Sequence, residues 1–166
     1  QVVGKNGIGI YVAGTTSAPS IVTNNAELKL NGEGSMGIYA KDNTTITSLG
    51  TISGSNSKND KIGVFLDGGD ITGTLDYTFE VDGGIGIYMK KYMGYSGQMR
   101  LTGTSCNDGV NDYRAIGILV DKAAGTGTLA ANLEMSGANG IGIYLDSNNI
   151  SGPNLTYTGQ LDMNAT

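Results

Sequence analysis

The sequence has no histidine, no tryptophan, one cysteine and two prolines among its 166 residues. Without imidazole, Ser–His–Asp and Cys–His catalytic systems are excluded within this segment, as are zinc and haem sites built on histidine. The single thiol, Cys106, has no second cysteine to pair with, so no internal disulfide staples the fold. Arginine is confined to Arg100 and Arg114 and the net charge is −5, which leaves no basic stripe for nucleic acid. No apolar run approaches the roughly 18 residues of a membrane-spanning helix, and Gln1 opens no signal-peptide pattern. No membrane insertion by this segment is therefore expected, and nothing in its composition calls for a cofactor.

Glycine, by contrast, is abundant at 28 residues, and it is ordered along the chain. A five-residue phrase recurs six times: an apolar residue, glycine, Ile or Val, a large side chain, another apolar residue. Its copies begin at Ile8, Met36, Ile62, Ile85, Ile116 and Ile141, and their glycines are Gly9, Gly37, Gly63, Gly86, Gly117 and Gly142. Those glycines are 28, 26, 23, 31 and 25 residues apart. A fixed period near this length marks stacked coils, none of which buries its apolar side chains alone, and it argues against disorder despite the glycine content.

Within the phrase, Ile8, Ile10 and Val12 alternate with Gly9 and Tyr11, the period of a strand with one buried face. A second strand follows in each repeat as apolar-x-apolar-x-Gly, at Leu28–Gly32, Phe79–Gly83, Met99–Gly103 and Leu133–Gly137, with alanine in place of the glycine in Leu161–Ala165 and only Ile52–Gly54 surviving in the second repeat. Ile21, Ile46, Ile71 and Ile150 mark a third. The side chains between the apolar pairs, Lys29, Glu80, Arg100, Glu134 and Asp162, are expected in solvent, and Gly14–Ser20 has the composition of a corner. The expected fold is all-β: a right-handed parallel β-helix (β-solenoid) of about six coils of about 27 residues, stacked at roughly 4.8 Å. The whole of 1–166 reads as one β-solenoid segment. With no polar cap at either end, it is expected to be an excerpt of a longer repeat protein whose flanking coils adjoin it.

The phrase Gly-Ile-Gly-Ile-Tyr, intact at Gly7–Tyr11, Gly84–Tyr88 and Gly140–Tyr144, resembles the passenger repeats of the large fusobacterial type V (Va) autotransporter adhesins, and the similarity spans the chain. The resemblance implies a secreted passenger displayed outside the outer membrane by a C-terminal barrel absent from this chain. It also implies roles in adherence and co-aggregation, hence a host or bacterial cell-surface receptor or glycan as partner. The motif identifies a scaffold and carries over no binding residue.

Candidate sites follow from the repeat positions. With Ile10 and Val12 inward, Tyr11, Tyr39, Phe65, Tyr88 and Tyr144 form an outward ladder. Its rings either cover the bare glycine backbone beside it or offer a stripe for sugar rings or a protein partner. Two places on, Lys41, Asp67, Lys90 and Asp121 alternate in sign and would pair across coils. Insertions at Ser55–Asp60 and Thr104–Tyr113 leave the repeat at the same corner, and loops on one face of a solenoid often bind. The longer insertion adds Tyr113 to the candidate ligand face. It also carries Asn107, Asp108, Asn111 and Asp112, oxygen ligands for Ca²⁺, without the spacing of an EF-hand. An enzymatic alternative, a carbohydrate-active lyase or hydrolase, would use Asp67 and Asp70, with Glu80 and Asp82 near in sequence and a base on a neighbouring coil. A groove shared with Lys90 or Arg100 would favour it. An ice-binding reading needs a regular Thr array, which the scattered Thr-x-Thr triplets do not provide.

Overall fold

The structure, a computed structural model, describes residues 1–55, 58, 60–71, 75–90, 95–121, 126–146 and 154–164. Among these residues there is no helix, and the strands stack into a parallel β-solenoid. The six phrases form one six-stranded parallel sheet: β1 (Ile8–Ala13), β4 (Met36–Lys41), β7 (Ile62–Asp67), β10 (Ile85–Met89), β14 (Ile116–Asp121) and β16 (Ile141–Asp146). Register is kept throughout, so that Ile10, Ile38, Val64, Ile87, Ile118 and Ile143 stand side by side. The stack has about five turns rather than six, because six copies of the phrase bound five turn-to-turn steps.

A second sheet contains β2 (Ser20–Asn24), β5 (Thr44–Leu49) and β8 (Asp70–Ile71). Ile46 and Ile71 are buried here as expected, but Ile21 is 70% exposed and its neighbour Val22 takes the core position. Pairing of Val22 with Ile46, followed by a register shift, explains the one-residue error. Ile150 lies outside the described residues. The third sheet runs β3 (Leu28–Leu30), β6 (Ile52–Gly54), β9 (Tyr77–Glu80), β11 (Tyr95–Leu101) and β15 (Thr126–Met135). Both β17 (Asn154–Tyr157) and β18 (Leu161–Met163) pair with β15, along its first and second halves. One small antiparallel pair, β12 (Cys106–Asn107) with β13 (Asp112–Tyr113), projects from a corner.

Burial assigns the faces. Ile38, Ala40, Val64, Leu66, Ile87, Met89, Ile118 and Val120 point inward to meet Leu30, Ile52, Phe79, Leu101 and Leu133. The first residue of each phrase does not join them. Ile62, Ile85 and Ile116 belong to a separate cluster with Phe65, Tyr39, Tyr88 and Leu119, on the opposite face of the sheet. Strict alternation thus fails at the glycine, which turns inward together with the residue after it. The cross-coil pairing reflects this, passing from Ile85–Ile116 to Ile87–Ile118 and skipping the glycines.

Why glycine is needed follows directly. A Cβ on Gly37, Gly63 or Gly117 would sit 2.6 Å from the carbonyl oxygen of the next coil's glycine. Such a Cβ on Gly37 would also be 3.1 Å from Ile52 Cδ1, and one on Gly63 3.0 Å from the Phe79 ring. The glycines are thus filled over by core side chains, and the expected aromatic cover over an outward bare backbone is not the reason for them. At Gly86 the Tyr77 hydroxyl comes within 3.2 Å of the Cβ position. That hydroxyl is buried with no hydrogen-bond partner among the described residues.

Three substitutions check this packing. Gly117→Ala should lower stability by about 1–3 kcal/mol, as overpacking does, whereas Gly4→Ala, with nothing within 4 Å of the new Cβ, should melt like the parent. Ile87→Asp places a charge at a fully buried position and should give unfolded protein by circular dichroism. A folded Asp variant would reverse the assignment of faces.

Candidate functional site

The aromatic ladder is continuous over four coils. Ring centroids are 5.3 Å apart for Tyr11–Tyr39, 4.9 Å for Tyr39–Phe65 and 4.8 Å for Phe65–Tyr88, the last pair stacked at 17°. These spacings are near the strand separation, so register alone brings the rings into contact. The other two pairs are tilted, at 30° and 41°, and the inner ring of Phe65 is only 8% exposed. Lys90 Nζ lies 5.3 Å from the Phe65 centroid. Tyr144, beyond Leu119, is separated from this run and 45% exposed; at the other end Tyr11 is 55% exposed.

Two phenol hydroxyls on this face are anchored to carboxylates two places on in the next coil. Tyr39 donates to Asp67 Oδ2 at 2.7 Å, and Tyr88 donates to Asp121 Oδ2. Both acceptor coils carry a residue without a hydroxyl, Phe65 or Leu119, at the tyrosine position. The ladder of alternating charge is realised between Lys90 Nζ and Asp67 Oδ2, 3.3 Å apart, while Asp121 and Asp146 stand in register as like charges. The Tyr39 hydroxyl, with Lys90 adding to it, holds the Asp67 carboxyl below the usual range despite the opposing effect of burial. The same bond, helped by burial, pushes the Tyr39 phenol up to about 12. Burial first, then Asp121, raises the Tyr88 phenol further.

The expected enzymatic group comes together only in part. Asp67 does meet Lys90, but on the outer face of the phrase sheet, where Tyr39 takes the same carboxylate oxygen. Arg100 belongs to another sheet and pairs with Glu134 at 3.2 Å. Asp82 accepts from the Thr104 amide at 2.8 Å and hydroxyl at 3.1 Å, fixing the start of the insertion, and Glu80 is exposed. The Asp70 side chain lies outside what the structure describes.

The two insertions meet. Lys58 Nζ reaches Asp108 Oδ2 at 3.0 Å across two coils and lies 5.9 Å from the Tyr113 ring centroid. Tyr113 donates to the same carboxylate oxygen at 3.1 Å, and the amides of Val110 and Asn111 donate to Asp108 Oδ1 at 3.1 and 2.9 Å. Those donors, the Asn111 amide first and Lys58 next, hold the Asp108 carboxyl far below its ordinary value. Asn107 is bonded to Asp112 and to the Gly109 amide. The four candidate Ca²⁺ ligands are therefore neighbours, but the Asp108 oxygens are turned onto N–H and O–H donors and an ammonium. Among the described residues no group of three or more acidic or Cys side chains is placed to hold a metal.

No protein-family model matches the chain, and no curated protein or solved structure matches it. Its functional reading rests on its own residues.

Sequence reasoning missed Lys58 as the tie between insertions and Asp121 as a phenol acceptor. Asp121 had a signal, an aspartate two places after a hydroxyl-free rung. Lys58 had none, since its partner is 50 residues away in a loop.

Asp67 generates a pH prediction. Its folded value is depressed, so its contribution is present above about pH 4 and lost as pH falls through the folded value. Tyr39→Phe should cost about 1 kcal/mol at neutral pH and flatten the acid side of the melting-temperature profile. An unchanged profile would remove the Tyr39–Asp67 bond from the account. Asp108→Asn should raise amide exchange in 106–113 while leaving the phrase strands protected.

Proposed function

We propose that this chain is a non-enzymatic segment of a bacterial surface-displayed adhesin, of the fusobacterial type V autotransporter kind its repeats resemble. In this reading it is a rod-like scaffold and a platform for contacts with a cell-surface receptor or glycan, tethered at the outer membrane through a barrel elsewhere in its parent. The observation that carries the proposal is the joining of two insertions, from coils two turns apart, at one corner of a regular solenoid. A scaffold that repeats its core and varies in length at its corners places its variable residues where a partner reaches them.

Other features support the same reading. Four ladder rings contact one another from coil to coil, which suits a column that locks coils together, with only Tyr11 and Tyr144 presenting much surface. The carbohydrate-active enzyme alternative has less behind it, because the Asp67 carboxylate is engaged by both Tyr39 and Lys90 on an open sheet. No described helix is long and apolar enough to cross a membrane.

Antiserum raised against the 166-residue chain should label intact cells of the producing bacterium and reduce their aggregation with partner cells. Labelling that appears only after permeabilisation would contradict surface display.

A further inference from the structure

One corner of the solenoid, away from the joined insertions, carries a groove that neither the ladder nor the loops use. Two adjoining hollows of 430 and 440 Å³ share Thr16, Asp42, Asn43 and Gly68. Their volumes fall within the range of roughly 300–1,000 Å³ common to small-ligand sites. The groove crosses three coils: Gly14–Thr16 on the first, Asp42–Thr45 on the second, Gly68 on the third.

Its backbone is held firmly. Asp42 N donates to Asp67 O at 3.0 Å, Thr44 N to Asp42 O at 2.8 Å and Ser20 N to Asn43 O at 3.0 Å. Gly14 N donates to Thr44 Oγ1 at 3.1 Å, and the lip is closed by a reciprocal Thr15–Ala18 backbone pair. Asp42 is held at φ 55°, in the left-handed region that costs a non-glycine residue energy and that recurs at functional sites. Gly68, at φ 87°, and Gly14 leave the floor without side chains.

Thr15 and Thr44 spend their hydroxyls within this frame, but four other lining side chains do not. Among the described residues, Asp42, Asn43, Thr16 and Thr45 make no side-chain hydrogen bond or ion pair, and they are open to solvent or partly so. Their chemistry selects a ligand class. An ionised carboxylate accepts only, the amide donates and accepts, and the hydroxyls do both. Adjacent hydroxyl groups on a ring, each a donor and an acceptor, satisfy that set. The Asp42 carboxylate disfavours anionic ligands, and the polar lining offers little to an apolar molecule.

We infer that the Thr16–Asp42–Asn43 groove is a subsite for a neutral oligosaccharide, with the Asp42 carboxylate and Asn43 amide bonding neighbouring sugar hydroxyls. The inference rests on the adhesin reading for its biological sense and adds to it a ligand class and a place.

The test is an array of neutral, sialylated and sulfated oligosaccharides probed with the 166-residue chain, with and without EDTA. Neutral glycans should be retained in both conditions. Asp42→Asn, which keeps a residue tolerant of positive φ, and Asn43→Ala should each lower affinity about tenfold or more, with unchanged melting. Lys29→Ala, on another sheet, should bind as the parent does. No neutral glycan retained, preference for acidic glycans, loss in EDTA, or full binding by both groove variants would each overturn the subsite. Antibody labelling of the cell surface separates the two claims: with labelling intact, a silent array removes the groove and leaves the adhesin reading standing.

Discussion

Close approach of glycine backbones between successive coils is the constraint on which the rest of this structure depends. At Gly37, Gly63 and Gly117 a single added carbon would meet the next coil's carbonyl oxygen at 2.6 Å. Since the glycine and the following Ile or Val both turn inward, one must lack a side chain for the other to be buried. That local departure from alternation sends the preceding Ile or Met outward, where it packs with the aromatic column. Register follows as well: a slip of one residue would drive side chains into the space the glycines leave.

From a fixed register come the features on the outside. Tyrosines meet rings at the strand spacing, and an aspartate two places on in the next coil falls within reach of their hydroxyls. These bonds tie coil to coil across half-buried positions where water competes less for them. The corners are freer, because chain length there can vary without disturbing the sheets. In two coils it grows into insertions that meet through Lys58 and Asp108, and in the first it forms the lip of a polar groove. Regular core and variable corners are two consequences of one repeat.

The period was legible because glycine, Ile and Tyr recur at set places, and it carried the parallel solenoid, the inward Ile87 and the shared corner of the insertions. Pattern alone misplaced Ile21, since it marked an apolar residue without knowing the pairing partner of Val22. It also misassigned the first residue of the phrase, because a period-two template has no room for two successive inward residues. The Asp42–Asn43 groove was invisible for a different reason. Its residues come from three coils and are polar throughout, so neither periodicity nor a motif distinguishes them from an ordinary turn.

The most direct test of the stacking is a set of backbone NOEs on labelled protein. In-register parallel coils require contacts from Ile38 to Val64, Val64 to Ile87 and Ile87 to Ile118, each linking successive repeats. Observing that series would establish the glycine-stacked solenoid. Finding instead hairpin contacts within a single repeat, with no contact between these residues, would contradict it.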